Sequence, residues 1–348
     1  MLKIKTKLSC IFIFILLNCS EDKHITNNKI DYEQLDSIYT LNPEYEISDS
    51  RRYGVFPNSE MNNSIHKTTQ KSKMESLIDF ASQYKDTIYF HEGYYNSNLI
   101  LDSRQNVHFK FDHSGFNLMN ITNEEGEESS NILLSGTLIL YDKFGTYNSN
   151  NIKVDSLIIK SNASKHLSGK KSRGCHIYKG TRNMNIEYLK VEDLASGDSY
   201  YHHNHAALSL DGLRDAPQNI VIDEAIIKSS DRHGVFINGE NNTIKDLKIY
   251  RYAQGTVSGM SKMQGTQPGE ESILSGMWIN RCNNCFFNKV EIRTKYSDKG
   301  IPLKLDEGRT DQPTIINELL LDEPYKDSLV LDDILTNVLV KKITVMDD

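Results

Sequence analysis

A chain of 348 residues with 38% hydrophobic residues is long enough to bury a substantial core. Its net charge of −7 and pI near 5.9 make nucleic acid an unsuitable partner. No apolar run reaches the length needed to span a membrane.

The chain opens with Lys3, Lys5 and Lys7, followed by an apolar stretch over residues 8–17. A basic start and a short hydrophobic segment have the makeup of a secretory signal. Leu16-Leu17-Asn18-Cys19 resembles the lipobox of bacterial lipoproteins. The resemblance implies cleavage after residue 18, lipids on Cys19, and export to the outer membrane with the lipid as the only membrane contact. Ser20-Glu21-Asp22-Lys23 resembles the acidic tract that follows the Cys in surface-displayed members. Residues 19–50 are polar and read as a flexible tether, leaving 51–348 as the folded domain.

Within residues 62–84, Ile65, Met74, Leu77, Ile78 and Phe80 recur at spacings that suit one helix. A strand from Thr87 and the turn Gly93-Tyr94-Tyr95 follow. Helix, strand and aromatic turn resemble the opening of the pectate-lyase-like superfamily, which includes tail-spike and polygalacturonase-type β-helices. Physically, the first coil of such a stack leaves an apolar end and unpaired edges that need a cover. Residues 62–100 fit that role, and His91 and Glu92 belong to it rather than to a site.

From there one phrase recurs, at residues 132–139, 152–159, 184–191, 220–227, 242–249, 285–292, 314–321 and 338–345. Apolar residues tend to hold its first, third, sixth and eighth places, as in two short alternating strands joined by a two-residue bend. Asn151, Asn183, Asn219, Asn241 and Asn283 precede five copies, where left-handed backbone is useful. Between copies lies a second apolar phrase, at Gly174-Cys175-His176-Ile177, Ala207-Leu208-Ser209-Leu210, Gly234-Val235-Phe236-Ile237, Gly276-Met277-Trp278-Ile279, 301–305 and 328–331. Repeats of this kind predict an all-β chain: a right-handed parallel β-helix, or solenoid, with a short N-terminal capping helix. A sandwich would not keep one order of phrases, and a βαβ protein needs amphipathic helices that are missing.

Of five cysteines, Cys10 and Cys19 belong to the signal. Cys282 and Cys285 have redox or metal spacing without a second pair. Cys175 and Cys285 stand at inward places, so packing is the expected role of these thiols.

Longer connections cluster before the second phrase, at residues 161–173, 194–206 and 250–275. In solenoids such insertions gather on one face. They should wall a groove beside His176, Ser209, Phe236, Trp278 and Lys304, which alternation turns outward. Residues 156–186 contain no acid but carry Lys160, Lys165, Lys170, Lys171, Arg173, Lys179 and Arg182. A local basic field in an acidic chain suits an anionic ligand. Tyr200-Tyr201-His202-His203-Asn204-His205 and Asp231-Arg232-His233 lead into the same column. Adjacent His202 and His203 diverge on an extended chain, which argues against zinc. Calcium on Asp193, Asp198 or Asp231 is the one cofactor that these carboxylates suggest.

Exported β-helical proteins with such a groove commonly act on acidic polysaccharides, and a uronic acid lends itself to β-elimination. Arg or Lys neutralises the carboxylate so that the C5 proton becomes acidic. A base removes that proton and an acid protonates the oxygen leaving C4. The groove's residue types assign Arg232, or Arg173, as clamp, His205 and His233 as base and acid, and Tyr201 as the alternative acid. His176, His203, Lys304 and Trp278 would contact substrate, Trp278 as a stacking platform. Signal, cap and coils together resemble the small lipoprotein oligosaccharide dehydratases and lyases of ulvan-degrading bacteria. That resemblance implies a sulfated, uronate-containing oligosaccharide as substrate. Two alternatives stay open. A polygalacturonase-like hydrolase would draw paired carboxylates from Asp211, Asp231, Asp306 and Glu307, and a surface glycan-binding protein would need no proton-transfer pair.

Overall fold

The computed structural model describes residues 32–123, 126–160, 173–193, 206–212, 214–254, 274–294, 300–322 and 337–346. Within them the architecture is all-β, a long parallel sheet in which each strand pairs mainly with the strand two places along the chain. Two ladders result. The first runs through Thr87–Phe90, His108–Phe116, Ser129–Leu140, Ser149–Ile159, Arg182–Asp193, Gln218–Ser230, Thr243–Ile249, Phe286–Ile292 and Thr314–Asp322, and ends on Val338–Val340 and Ile343–Met346. The second contains Leu99–Asp102, Met119–Thr122, Lys143–Thr146, Gly174–Tyr178, Ala206–Asp211, His233–Glu240, Leu274–Asn283 and Gly300–Leu305. The chain alternates between the ladders, and their apolar side chains meet in one continuous core. This winding is consistent with a solenoid.

The register explains the repeated phrase. Ile152, Val154, Leu157 and Ile159 align with Met184, Ile186, Leu189 and Val191, which align in turn with Ile220, Ile222, Ala225 and Ile227. All twelve are buried. Most copies of the phrase are one continuous strand rather than two, the last being split into Val338–Val340 and Ile343–Met346. The central pair, such as Asp155 and Ser156, turns away from the core. Asn151, Asn183, Asn219 and Asn241 adopt left-handed backbone as expected, but in the fifth copy Asn284 does so instead of Asn283. Their amides stack on one another: Asn219 Nδ2 donates to Asn183 Oδ1 at 3.0 Å, and Asn151 Nδ2 to Asn131 Oδ1 at 2.7 Å. Side-chain hydrogen bonds thus continue the ladder where the strand bends.

Two N-terminal expectations need correction. The packed region begins within the expected tether: a helix, α1 (Tyr32–Tyr39), pins Asp36 against Arg52 at 2.6 Å and sets Tyr39 edge-on to Phe80. The helix expected over 62–84 is a 3-10 turn, Glu60–Asn63, followed by α2 (Lys73–Tyr84). Ser72 accepts from the Glu75 N–H while Glu75 accepts from the Ser72 N–H, and this reciprocal cap fixes where α2 starts. Ile65, expected on the apolar face, precedes the helix and is exposed. Met74, Leu77, Ile78 and Phe80 do join the core of the first coils.

Cys175 is buried, and burial pushes its thiol pKa up. Cys285, expected to be a packed thiol, instead forms a disulfide with Cys282 across the turn that joins the ladders. No helix among the described residues is long and apolar enough to cross a membrane. The expected signal, Cys19 and the phrase at 328–331 lie outside the described residues.

Candidate functional site

The outward column read from alternation is a physical row. Asn120, Gly145, His176, Ser209, Phe236, Trp278 and Lys304 align in successive parallel pairings of the second ladder. Neighbouring strands lie roughly 4.8 Å apart, so six steps span on the order of 29 Å.

Its C-terminal half is not the open groove that was expected. Phe236 and Trp278 form, with Ala206, a small apolar cluster separate from the main core, and both are buried. Trp278 cannot serve as an exposed stacking platform in this arrangement. Only 3% of its surface is open, Phe236 lies edge-on at 4.9 Å, and the Lys304 ammonium sits 3.6 Å from the ring centroid. Its indole N–H donates to Asp306 Oδ2 at 2.7 Å. Burial lowers the Lys304 pKa, and the Asp306 charge partly offsets that.

His233 stands beside this cluster and is fully buried, 5.0 Å from Trp278. Its Nδ1 accepts the Ser275 N–H at 3.0 Å, with the Ser275 hydroxyl also at 3.0 Å. That nitrogen is therefore committed to the neighbouring strand. Arg232 is likewise buried. Arg173 is held by Asp142, with Nε 2.7 Å from Oδ1 and Nη2 on Oδ2, so its fork is already engaged. A role for Arg173 as a free carboxylate clamp is corrected accordingly. Tyr201, His203 and His205 lie outside the described residues, as do Asp198 and the Asp193 side chain. Among the described residues no three His, Cys, Asp or Glu converge as metal ligands would. Of the carboxylates of the hydrolase alternative, Asp231 is buried, Asp306 faces Trp278, and Glu307 pairs with Arg281 at 3.0 Å.

The N-terminal half of the column opens instead. A cavity of about 500 Å³ is lined by Asn120, Thr122, Lys143, Tyr147, Asn148 and Tyr178, among others, a size within the usual range for small-molecule sites. Gly145 is part of its wall. It stands in the outward row between Asn120 and His176, where a Cβ would come within 2.8 Å of Asn120 Oδ1. The Asn120 amide thus occupies the space that a side chain at 145 would need.

Tyr178 lines the cavity, and strand alternation puts it on one face with His176, which is buried rather than outward and open as expected. The Tyr178 hydroxyl is 2.9 Å from His176 Nδ1. Tyr178 has 37% of its surface open, yet burial, aided by the Asp211 charge and opposed by Arg173, pushes the phenol up to about 12. Lys143 lines the same cavity with its pKa lowered by burial and by Arg173, against a smaller opposing effect of Asp142. Lys179 adds positive charge nearby, 5.3 Å over the Tyr147 ring. Arg182 from the basic segment pairs with Glu128 at 3.2 Å, while Lys165, Lys170 and Lys171 lie outside the described residues.

His176 and Arg173 were legible as candidates; Lys143, Tyr178 and Asn120 were not. Gly145 was the available signal, a glycine at a place where the other rows carry side chains.

Compared with known proteins, the chain matches no family model, no curated protein and no solved structure.

Proposed function

We propose that this chain is a right-handed parallel β-helix of the pectate-lyase-like kind that performs β-elimination on a uronic-acid residue of an anionic oligosaccharide. Elimination at a free C4 hydroxyl would make it an oligosaccharide dehydratase, and elimination of a C4-linked sugar a polysaccharide lyase. A sulfated, ulvan-like oligosaccharide is the proposed substrate. The single observation that carries this reading is the Tyr178–His176 hydrogen bond beside a cavity whose one charged lining residue, among the described residues, is Lys143. The two alternating ladders support the β-helix part, and α2 with its apolar face in the first coils supports the capping part.

The reaction needs a cation at the carboxylate and a proton carrier at C5 and C4. Lys143 supplies the cation. A phenol with a pKa near 12 keeps its proton at neutral pH, which suits Tyr178 to protonating the departing C4 oxygen, with His176 as the group that returns the proton. His205, Tyr201 and His203 remain the proposed groups for C5 proton abstraction and substrate contact. Arg232, His233, Trp278 and Lys304 are then supports of the groove rather than its surface. Calcium stays a proposal for the carboxylates at 193, 198 and 231.

Among the described residues the cavity lining contains no carboxylate, which weighs against a hydrolase, since hydrolysis needs two. A glycan-binding protein without turnover is the second reading, favoured by the burial of His233 and by the amide-rich cavity wall. Export as an outer-membrane lipoprotein is proposed from the N-terminal sequence, and the Cys282–Cys285 disulfide fits an oxidising compartment.

Incubation with acidic algal and plant oligosaccharides, followed by mass spectrometry, tests the reaction. A product lighter by one water signifies the dehydratase, and two fragments with one unsaturated end signify the lyase. Absence of the ultraviolet band of an unsaturated uronate with every substrate would favour the binder. Tyr178→Phe should lower turnover by about two to four powers of ten.

A further inference from the structure

We propose that the Lys143–Tyr178 cavity is a recognition subsite for a single monoanionic pyranose ring, with the anionic group on the Lys143 ammonium. This deepens the reading of the same site but rests on it only in taking the ligand to be a sugar.

Three observations carry it. The lining is closely fitted: Gly145 lets the Asn120 amide pack where a side chain would collide with it, and the volume of about 500 Å³ has room for one ring with its hydration. The lining is matched to a sugar. Asn120, Asn148 and Thr122 offer amide and hydroxyl partners for ring hydroxyls, and Tyr147 and Tyr178 offer aromatic edges. The charge is uncompensated: among the described residues Lys143 has no ion-pair partner, because the nearby Asp142 carboxylate is taken by Arg173. Burial disfavours an ammonium without a counter-ion, as the lowered Lys143 pKa reflects. One ligand anion corrects that imbalance, whereas a neutral sugar does not.

The charge can come from a carboxylate or from a sulfate ester, and the probes separate the two. Calorimetric titration of the full chain with glucuronate, glucose 6-sulfate and glucose is the measurement. Glucuronate or glucose 6-sulfate, or both, should bind at least about tenfold more tightly than glucose, the effect of one charge-assisted hydrogen bond. Whichever binds names the source of the anion. Lys143→Met should remove that preference and leave glucose unchanged, and Gly145→Val should weaken all three sugars. Where Gly145→Val fails to fold, Asn120→Ala replaces it. Equal binding of charged and neutral sugars, no binding of any, or an unchanged preference in Lys143→Met overturns the subsite. The elimination assay is separate: binding that obeys Lys143 without turnover sinks the enzyme reading and keeps the subsite. Turnover with an indifferent Lys143 sinks the subsite and the role of Lys143 as the cation of the reaction, and leaves elimination itself standing.

Discussion

Trp278 donates its indole N–H to Asp306 at 2.7 Å while the Lys304 ammonium covers its face at 3.6 Å, so one buried ring ties two neighbouring rungs together. It is the only tryptophan in the chain, which makes intrinsic fluorescence a local probe of this cluster. Emission of the folded protein should be blue-shifted and should move red on unfolding. Trp278→Ala should cost about 3–5 kcal/mol, as large-to-small changes at buried aromatics do. Asp306→Ala, which strands a buried indole N–H, should cost about 1–3 kcal/mol. Urea denaturation followed at both the fluorescence and the far-ultraviolet dichroism bands reads these losses. A native emission maximum already at the solvent-exposed position would contradict the packed cluster.

Alkaline pH should weaken the fold through Tyr178. Its folded pKa, about 12, lies above the ordinary value of 10.0. The unfolded chain therefore releases this proton first. The stabilising contribution is whole below pH 10 and is lost as pH rises from there through about 12. Tyr178→Phe has no proton to lose, so its stability should decline less steeply over that window. Parallel slopes for the two proteins would show that the hydroxyl is not enclosed.

Much of this was legible in the chain because a parallel ladder repeats its spacing. Ile152, Met184 and Ile220 fall into register as the phrase demands, and His176, Ser209, Phe236, Trp278 and Lys304 form one row. Alternation gives direction but not cover, so it turned Trp278 outward without revealing that it is buried. The cavity escaped notice for a different reason. It depends on the close approach of Asn120 to Gly145 and on residues from three separate strands, and no local pattern joins those. Arg173 looked available in sequence because Asp142, its partner, stands 31 residues earlier and becomes adjacent only when the coils stack.

The Cys282–Cys285 link closes a short turn between the two ladders. Thr314 Oγ1 donates to the Cys282 carbonyl at 2.5 Å, so the turn is tied to the next coil as well. Chain entropy for a loop this small gives on the order of 2 kcal/mol, less than for a long loop. The double change to serine should lower stability by about 1–2 kcal/mol and abolish any effect of reductant. Equal stability of the native protein with and without reductant would mean that the thiols are not joined.

Lys143→Met should separate stability from recognition. The ammonium sits where burial and Arg173 both disfavour its charge, so removing it relieves a cost instead of breaking a contact. The variant should be neutral to stabilising at pH 7, against the loss of about 1 kcal/mol usual for a point change. The pH dependence carries the sign. A lysine whose folded pKa is lowered binds fewer protons folded than unfolded between that pKa and 10.5, so the native protein gains stability as pH rises through this window. Lys143→Met should lack that gain, and the two stability curves should converge toward alkaline pH. A variant that is clearly less stable at pH 7 would show that Lys143 is paired in the unliganded protein, which would remove the reason for its affinity for an anion.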